Sequence, residues 1–306
     1  MAERPLAIIG GSSFVGASTI EQLKLDREIV VLSPSHKEVD ITNKGSVREW
    51  ILFQRPRSVV LLAAWTDVDG AEKGGNISLV SITNVNGVVN VANAVKEIGA
   101  HLIYVSTDFV FSGQDEKGEI GPYSEDCKPP RLWADKGTRG YYGGTKFLGE
   151  LMLETMGVRN AVVRISYPFG NIVNPQKDYA LKMIKAANKY PIFTDQYITP
   201  TYIPDFTAAV GVIASRQMQG TYHVATNNLT TPFAFVKRLY TNLGLSTEGL
   251  KRGNFKSYGA PRPQYGGLIC SKTEGELGIK FHSWQDAVDE YSEEIKRFIP
   301  QEELFK

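Results

Sequence analysis

The 306-residue chain lacks most of the groups that announce a specialised class. It has two cysteines, Cys127 and Cys270, far apart and in no CxxC arrangement. Neither a disulfide framework nor a thiolate zinc site is expected, and a reducing cytoplasm is the default location. The four histidines, at 36, 101, 223 and 282, are scattered, and no metal site is read from them. An excess of one charge is missing too, since 34 Lys+Arg against 33 Asp+Glu leave +1. That offers no electrostatic footprint for nucleic acid or an anionic membrane surface. No apolar run approaches the roughly 18 residues of a membrane helix, and Met1 to Gly10 enters a strand-like segment without the regions of a signal peptide. There is no internal repeat and no low-complexity tract. What remains is an ordinary globular composition, 42% hydrophobic with 29 Gly and 15 Pro, long enough for a sizeable core.

Within it, short apolar β-type runs alternate with helical patterns, which is how parallel strands joined by crossover helices read. Strands are expected at Leu6–Ile9, Glu28–Leu32, Ser58–Leu62, His101–Ser106 and Asn160–Ile165. Between Ser78 and Glu97, Leu79, Ile82, Val85, Val89, Ala92 and Val95 recur near helical spacing and would cover a sheet face. Residues 111–139 turn polar and rich in Gly and Pro, and Trp133 in that loop marks a contact with substrate or a partner chain. After Ile165, prolines at 168, 175, 191, 200 and 204 break the pattern into a smaller lobe. There Thr231 caps a helix that begins at Pro232 and stops before Gly244, and another helix runs from Ser283 to about Ile299. The fold class is therefore α/β: a Rossmann-type doubly wound parallel sheet with a smaller C-terminal α/β substrate lobe. Residues 1–165 with parts of 205–245 form the nucleotide-binding domain, and 166–204 with 246–306 form the lobe.

Gly10-Gly11-Ser12-Ser13-Phe14-Val15-Gly16 follows the first strand and opens a helix. Amides at a helix amino terminus attract a pyrophosphate, and small residues let it approach; a plain tight turn is the bland alternative. Ser13 stands where a middle glycine would be. After the second strand the chain reads Leu32-Ser33-Pro34-Ser35-His36-Lys37, without the carboxylate that would hold an adenosine ribose. Ser33 and Lys37 suit a ribose phosphate, so NADPH is expected, with NADH second. Asp40 and Ile41 are placed against the adenine. Tyr142 and Lys146 stand one helical turn apart, so phenol and ammonium share a face. The ammonium is expected to lower the phenol's pKa and to hold ribose hydroxyls, while the phenol gives a proton to an alkoxide. Thr107, leaving the end of the fourth strand, can polarise a carbonyl or simply cap the strand. Trp65 reads equally as core or as a cofactor wall, and Asp69 and Glu72 read as ordinary surface carboxylates.

These segments, with Ala63-Ala64-Trp65-Thr66-Asp67-Val68-Asp69-Gly70-Ala71-Glu72, Ser106 to Phe111, Arg164-Ile165-Ser166-Tyr167, Asp195-Gln196, Pro200-Thr201-Tyr202, Arg262-Pro263, Leu268 and Trp284, resemble the extended short-chain dehydrogenase/reductases over nearly the whole chain. More narrowly they resemble the dTDP-4-dehydrorhamnose reductase group. The resemblance implies reduction of a 4-keto group on a nucleotide-sugar by NADPH, with Thr107, Tyr142 and Lys146 as catalytic trio. It implies cofactor binding by Gly10, Ser12, Phe14, Val15, Asp40, Ile41, Ala63, Ala64, Trp65, Tyr142 and Lys146, to which the reading of the residues themselves adds Ser13, Ser33 and Lys37. Asn84 falls where relatives place a helix Asn, and Thr66, Val68, Asp108, Phe109, Tyr167 and Arg262 fall at the substrate. A homodimer is the family's expectation. Phe109 replaces the group's Tyr and Tyr167 its Trp, and the Arg131–Gly140 segment is longer, which together point to an altered substrate pocket. A non-catalytic regulator like the β subunit of methionine adenosyltransferase shares fold and motifs and is the alternative. An epimerase or dehydratase that keeps NAD bound is disfavoured by the missing acid after strand two.

Overall fold

Runs rich in Val, Ile and Leu form strands that are buried on both faces. The computed structural model describes residues 4–25, 29–131, 140–171, 173, 177–255 and 261–305. The first strand, β1 (Leu6–Ile9), is followed by β2 (Val31–Leu32), β3 (Ser58–Leu61), β4 (His101–Thr107), β5 (Asn160–Ile165), β6 (Ile192–Phe193), β7 (Gly220–His223) and β8 (Arg252–Gly253). β1 and β5 have the bounds expected from sequence. β2, an edge strand with one neighbour, is shorter than the expected Glu28–Leu32, of which Glu28 lies outside the described residues. Six strands form one parallel sheet in the order β2-β1-β3-β4-β5-β7, and β6 pairs with β8 in a separate parallel ladder. The chain leaves β1 for β2 on one side and crosses back to β3 on the other. That reversal opens a crevice beyond the strands' carboxyl ends, where ligands bind in open α/β sheets.

The helices are α1 (Phe14–Leu23), α2 (Lys44–Gln54), α3 (Val68–Ala71), α4 (Ile77–Ser81), α5 (Gly87–Glu97), α6 (Tyr141–Met156), α7 (Tyr179–Ala187), α8 (Ile203–Arg216), α9 (Pro232–Asn242), α10 (Ser271–Leu277) and α11 (Trp284–Phe298). Side chains alternate along the strands, so the sheet has two apolar faces. Leu6, Ile8, Val60 and Ile103 pack with Leu23 of α1 and Phe206 and Val210 of α8. Ala7, Ile9, Val59 and Leu102 pack with Ile51 of α2, Val91 of α5 and Leu153 of α6. A third cluster, around Phe169, Ile184, Phe235, Leu239, Val288 and Tyr291, joins α7, α9 and α11. As the sequence indicates, Thr231 caps α9, its hydroxyl accepting from Ala234 N at 3.2 Å, and Ser283 caps α11 by accepting from Asp286 N at 3.1 Å.

The stretch expected as one helix over Ser78–Glu97 is instead α4, a π-helical turn over Ile82–Asn86, and α5. The wider turn changes the helical phase and brings Asn84 inside. Leu79 and Ile82, expected on the covered face, are consequently 49% and 40% exposed.

Candidate active site

The turn after β1 is fixed by backbone geometry. Gly10 has φ +96°, and a Cβ there would meet Ala63 N at 2.4 Å, so the turn lies directly against the end of β3. Ser13 needs no glycine's freedom, because its φ is −70°. Its hydroxyl donates to Gly10 O at 2.7 Å and accepts from Gly16 N at 3.1 Å, making it the N-cap of α1. Ser12 is exposed at the mouth of this turn, while Phe14 is buried and Val15 packs on the core. Ala63, whose N–H donates to Ile9 O at 3.0 Å, Ala64 and Trp65 continue from β3 beside it.

Beyond β2, Ser33 lies against Gly11, where a Cβ would come within 2.0 Å of its Oγ. Lys37 is exposed nearby. A carboxylate does stand here, one residue past the stretch read as lacking one. Glu38 Oε2 accepts from both the N–H and the hydroxyl of Ser35 at 2.8 Å, and these bonds hold its pKa below the ordinary value. Asp40 is turned onto Thr42, accepting from its N–H at 2.9 Å and its hydroxyl at 2.8 Å. Ile41 is buried against Gly87 of α5.

Thr107 ends β4 and caps the short turn 108–110, which is the capping role the sequence allowed. Its hydroxyl accepts from Phe109 N at 3.3 Å and donates to Asp108 Oδ1 at 3.2 Å. Against this turn lies α6, at a distance only glycine permits: a Cβ on Gly143 would stand 2.2 Å from Phe109 O. Tyr142 is thereby buried beside Thr107, with its ring 6.1 Å from that of Phe109 in an edge-to-face contact. Val68 and Trp65 pack on the same small cluster, whereas Thr66 is exposed at its rim. Asn84 fastens the cluster: its Oδ1 accepts from Trp65 N at 2.8 Å, and its Nδ2 donates to Thr145 Oγ1 at 3.1 Å.

The electrostatics correct the expectation that Lys146 lowers the phenol's pKa. Burial pushes the Tyr142 phenol well above its ordinary value, and the opposing influence is a hydrogen bond with Thr107. Burial likewise pulls the Lys146 ammonium down to about 7, with Glu150 acting the other way. Lys146 Nζ lies over the Tyr104 ring, 4.1 Å from its centroid. Desolvation sets the direction of both shifts, and the Asp108 carboxylate pushes the phenol the same way. Asp108 is pushed up to about 7 by burial, against hydrogen bonds that include Ser166 Oγ at 2.9 Å.

A cavity of about 370 Å³ lies in the lobe beside Asp69, and its walls include Tyr167, Tyr179, Met183, Ile192, Gln196 and Arg262. Tyr167 has φ +43°, a strained value for a residue with a Cβ, and such strain concentrates at functional sites. Its ring sits 5.8 Å from Phe109 and 5.0 Å from Tyr179, and its hydroxyl accepts from Gln196 Nε2 at 3.0 Å. Arg262 donates from Nη2 to both carboxylate oxygens of Asp69 at 2.9 Å, tying the lobe to the segment after β3. Asp69 is thus no idle surface carboxylate, and neither is Glu72, whose Oε1 accepts from the first amide of α6, Tyr141 N, at 2.5 Å. A larger cavity, about 480 Å³, lies at the opposite end of the sheet around Leu6, Leu23 and Val30, away from all of these groups.

Thr107, Tyr142, Lys146, Trp65, Val68, Asp108, Phe109, Tyr167 and Arg262 are therefore gathered near the carboxyl ends of the central strands. Trp133 lies outside the described residues. Sequence reading missed Tyr179 and Glu150, and it gave Ser166 no role beyond its place in the Arg164–Tyr167 motif. For Glu150 a signal existed in its position one turn beyond Lys146, whereas Tyr179 is set by tertiary packing alone. Among the described residues, no helix is long and apolar enough to cross a membrane.

Comparison with known proteins agrees with this geometry. The spore coat polysaccharide biosynthesis protein SpsK of Bacillus subtilis is 29% identical over 292 residues, covering 94% of this chain and 96% of that protein. The dTDP-4-dehydrorhamnose reductase of Streptomyces griseus is 27% identical over 298 residues, covering 94% of this chain and 93% of that enzyme. Among solved structures, the dTDP-4-dehydrorhamnose reductase of Bacillus anthracis in complex with NADP superposes with a TM-score of 0.82 at 26% identity, covering 95% of this chain and 99% of that one. Residues 4–297 match the family described as the RmlD substrate binding domain, and the chain belongs to that family.

Proposed function

We propose that the chain is an NADPH-dependent oxidoreductase that reduces the 4-keto group of a nucleotide-linked deoxysugar, as dTDP-4-dehydrorhamnose reductases do. The observation that carries this reading is the burial of Tyr142 beside Thr107 at the end of β4, with Lys146 buried one helical turn on, and a glycine turn whose Gly10 leaves no room for a Cβ. That turn, at the amino terminus of α1, fits a pyrophosphate: Gly10, Ser12, Ser13, Phe14 and Val15 would hold it. Ser33 and Lys37 would meet a ribose phosphate, Asp40 and Ile41 the adenine, and Ala63, Ala64 and Trp65 the nicotinamide half. The NADP found in the Bacillus anthracis structure supports this choice of cofactor. When bound, the reduced nicotinamide supplies the hydride. Thr107 polarises the carbonyl oxygen, Tyr142 Oη gives its proton to that oxygen, and Lys146 holds ribose hydroxyls. A phenol kept protonated by burial is in the right state to donate.

Cofactor binding is assigned to residues 1–165 with parts of 205–245, including α8 and β7, and substrate binding to 166–204 and 246–306. In the lobe, Tyr167 offers an aromatic face and Arg262 a cation for a diphosphate, while Thr66, Val68, Asp108 and Phe109 line the approach to the sugar. Phe109 and Tyr167 change the hydroxyl and the aromatic area at that point, so the sugar is the part of the specificity most open to difference. A homodimer is tested by light scattering. The test of function is loss of reduced-nicotinamide absorbance when dTDP-4-keto-6-deoxy-L-mannose is added with NADPH or NADH. Turnover with preference for NADPH is expected. Tight NADPH binding without turnover of this or any related 4-keto sugar would overturn the reading in favour of a regulatory subunit.

A further inference from the structure

Behind Lys146 lies a row of buried polar side chains that the proposed reaction does not use. Ser106, Arg164 and His223 are register partners on β4, β5 and β7, so they stand side by side on one sheet face. Glu150 of α6 reaches down onto them. Its Oε1 accepts from Ser106 Oγ at 2.5 Å and from Arg164 Nε at 3.1 Å, and its Oε2 accepts from Arg164 Nη2 at 2.7 Å. Arg164 Nη1 lies 3.3 Å from His223 Nε2, while His223 Nδ1 faces Ile269 O at 3.2 Å. Burial and the neighbouring guanidinium keep this histidine neutral. This carboxylate is paired with buried Arg164 and stands one helical turn from buried Lys146, whose Nζ lies over Tyr104, two residues before Ser106 on the same face of β4. With no carboxylate there, both cations would be left buried without a counter-charge.

We infer that Glu150, clamped by Ser106 and Arg164, is a positioning residue that holds the Lys146 ammonium charged and in place over the Tyr104 ring. The inference rests on the reading of Lys146 as the cofactor-holding lysine. Among the described residues, the ionisable groups that act on Lys146 are Tyr104 of β4, under its Nζ, and Glu150 of its own helix, with Tyr142 one turn earlier and Arg164 and His223 behind Glu150. Asn84 and Ser81 of the neighbouring stretch carry no charge. Glu72 is bound to the first amide of α6, and Lys96 of α5 reaches only its far end, at Met156 O.

The test is NADPH affinity as a function of pH, read from cofactor fluorescence, which does not depend on the sugar. Wild-type affinity should fall on the alkaline side as Lys146 loses its proton, and Lys146→Met should abolish that limb. In Glu150→Gln the limb should move about one pH unit lower, whereas Glu150→Asp, which keeps the charge, should leave it near the wild-type position even if both variants lose thermal stability. Should Glu150→Gln fail to fold, the Glu150→Gln/Arg164→Gln double variant, which leaves no unpaired guanidinium, is read against Arg164→Gln alone, and its limb should lie about one pH unit lower than that of the single variant. A limb that disappears in Lys146→Met but is unmoved in the Glu150→Gln proteins overturns the inference alone. An equal shift in Glu150→Asp and Glu150→Gln would do the same. A Lys146→Met protein with unchanged affinity at every pH overturns the role of Lys146 itself, and the inference with it.

Discussion

The carboxyl ends of the sheet and the face of the lobe opposite them are built on different terms. At the sheet, each functional residue is placed by its immediate neighbours in sequence: Gly10 by a positive φ, Ser13 by its capping bonds, Thr107 by ending β4, and Lys146 by standing one turn after Tyr142. On the lobe side, Tyr167, Gln196 and Arg262 come from separate segments and meet only through tertiary packing, and Asp69 from the first half completes the set. Chemistry common to a family can be encoded in short motifs, while specificity is assembled from parts that carry no local signature. The first region should therefore respond to substitution with loss of rate or fold, and the second with changed substrate affinity.

The largest effect is expected at the proposed proton donor. Tyr142→Phe should lower kcat by about 10³-fold, within the range for general acid catalysis, while leaving NADPH affinity nearly unchanged in a fluorescence titration. Equal losses in both would mean that the phenol only shapes the pocket. Next comes Gly10→Ala, where strained φ and a 2.4 Å approach to Ala63 N combine. A loss of about 1–3 kcal/mol in denaturant unfolding is expected, together with weakened cofactor binding. On the lobe side, Arg262→Ala should raise KM for the nucleotide-sugar about tenfold, the order of one lost charge-assisted contact, with kcat and thermal midpoint little altered. If kcat falls instead, the two regions are not separable as described.

The smallest effect concerns pH. Asp108 titrates at about 7 in the fold against an ordinary value of 3.8, because burial favours its protonated form. Between those values the folded state holds a proton that the unfolded chain has lost, so this group's contribution to stability declines as pH rises through that window. Asp108→Asn should therefore flatten the fall in melting temperature between about pH 4 and pH 7. Parallel wild-type and variant curves would show that Asp108 ionises without cost.

Much of the sheet was legible because strands buried on both faces have a simple signature, and β1 and β5 match it to the residue. The α4–α5 connection was not, since apolar spacing cannot report a π-helical turn that rotates Leu79 and Ile82 into the open. In the site, Tyr142 and Lys146 could be paired from spacing alone, but the sense of their pKa shifts could not. Sequence shows the neighbouring charge and hides the burial that dominates it. Glu38 escaped notice for a similar reason, because only the folded turn brings its carboxylate back to Ser35. The strained φ of Tyr167 left no trace that a residue type could reveal.

The proposed transfer of hydride to a sugar carbonyl in this crevice can be followed by incubating the protein with dTDP-4-keto-6-deoxy-L-mannose and NADPH carrying deuterium at both C4 positions of the nicotinamide, then locating the label by mass spectrometry and NMR. One deuterium is expected at C4 of the product sugar. Deuterated NADPH that stays bound and intact beside unreduced sugar would rule the transfer out.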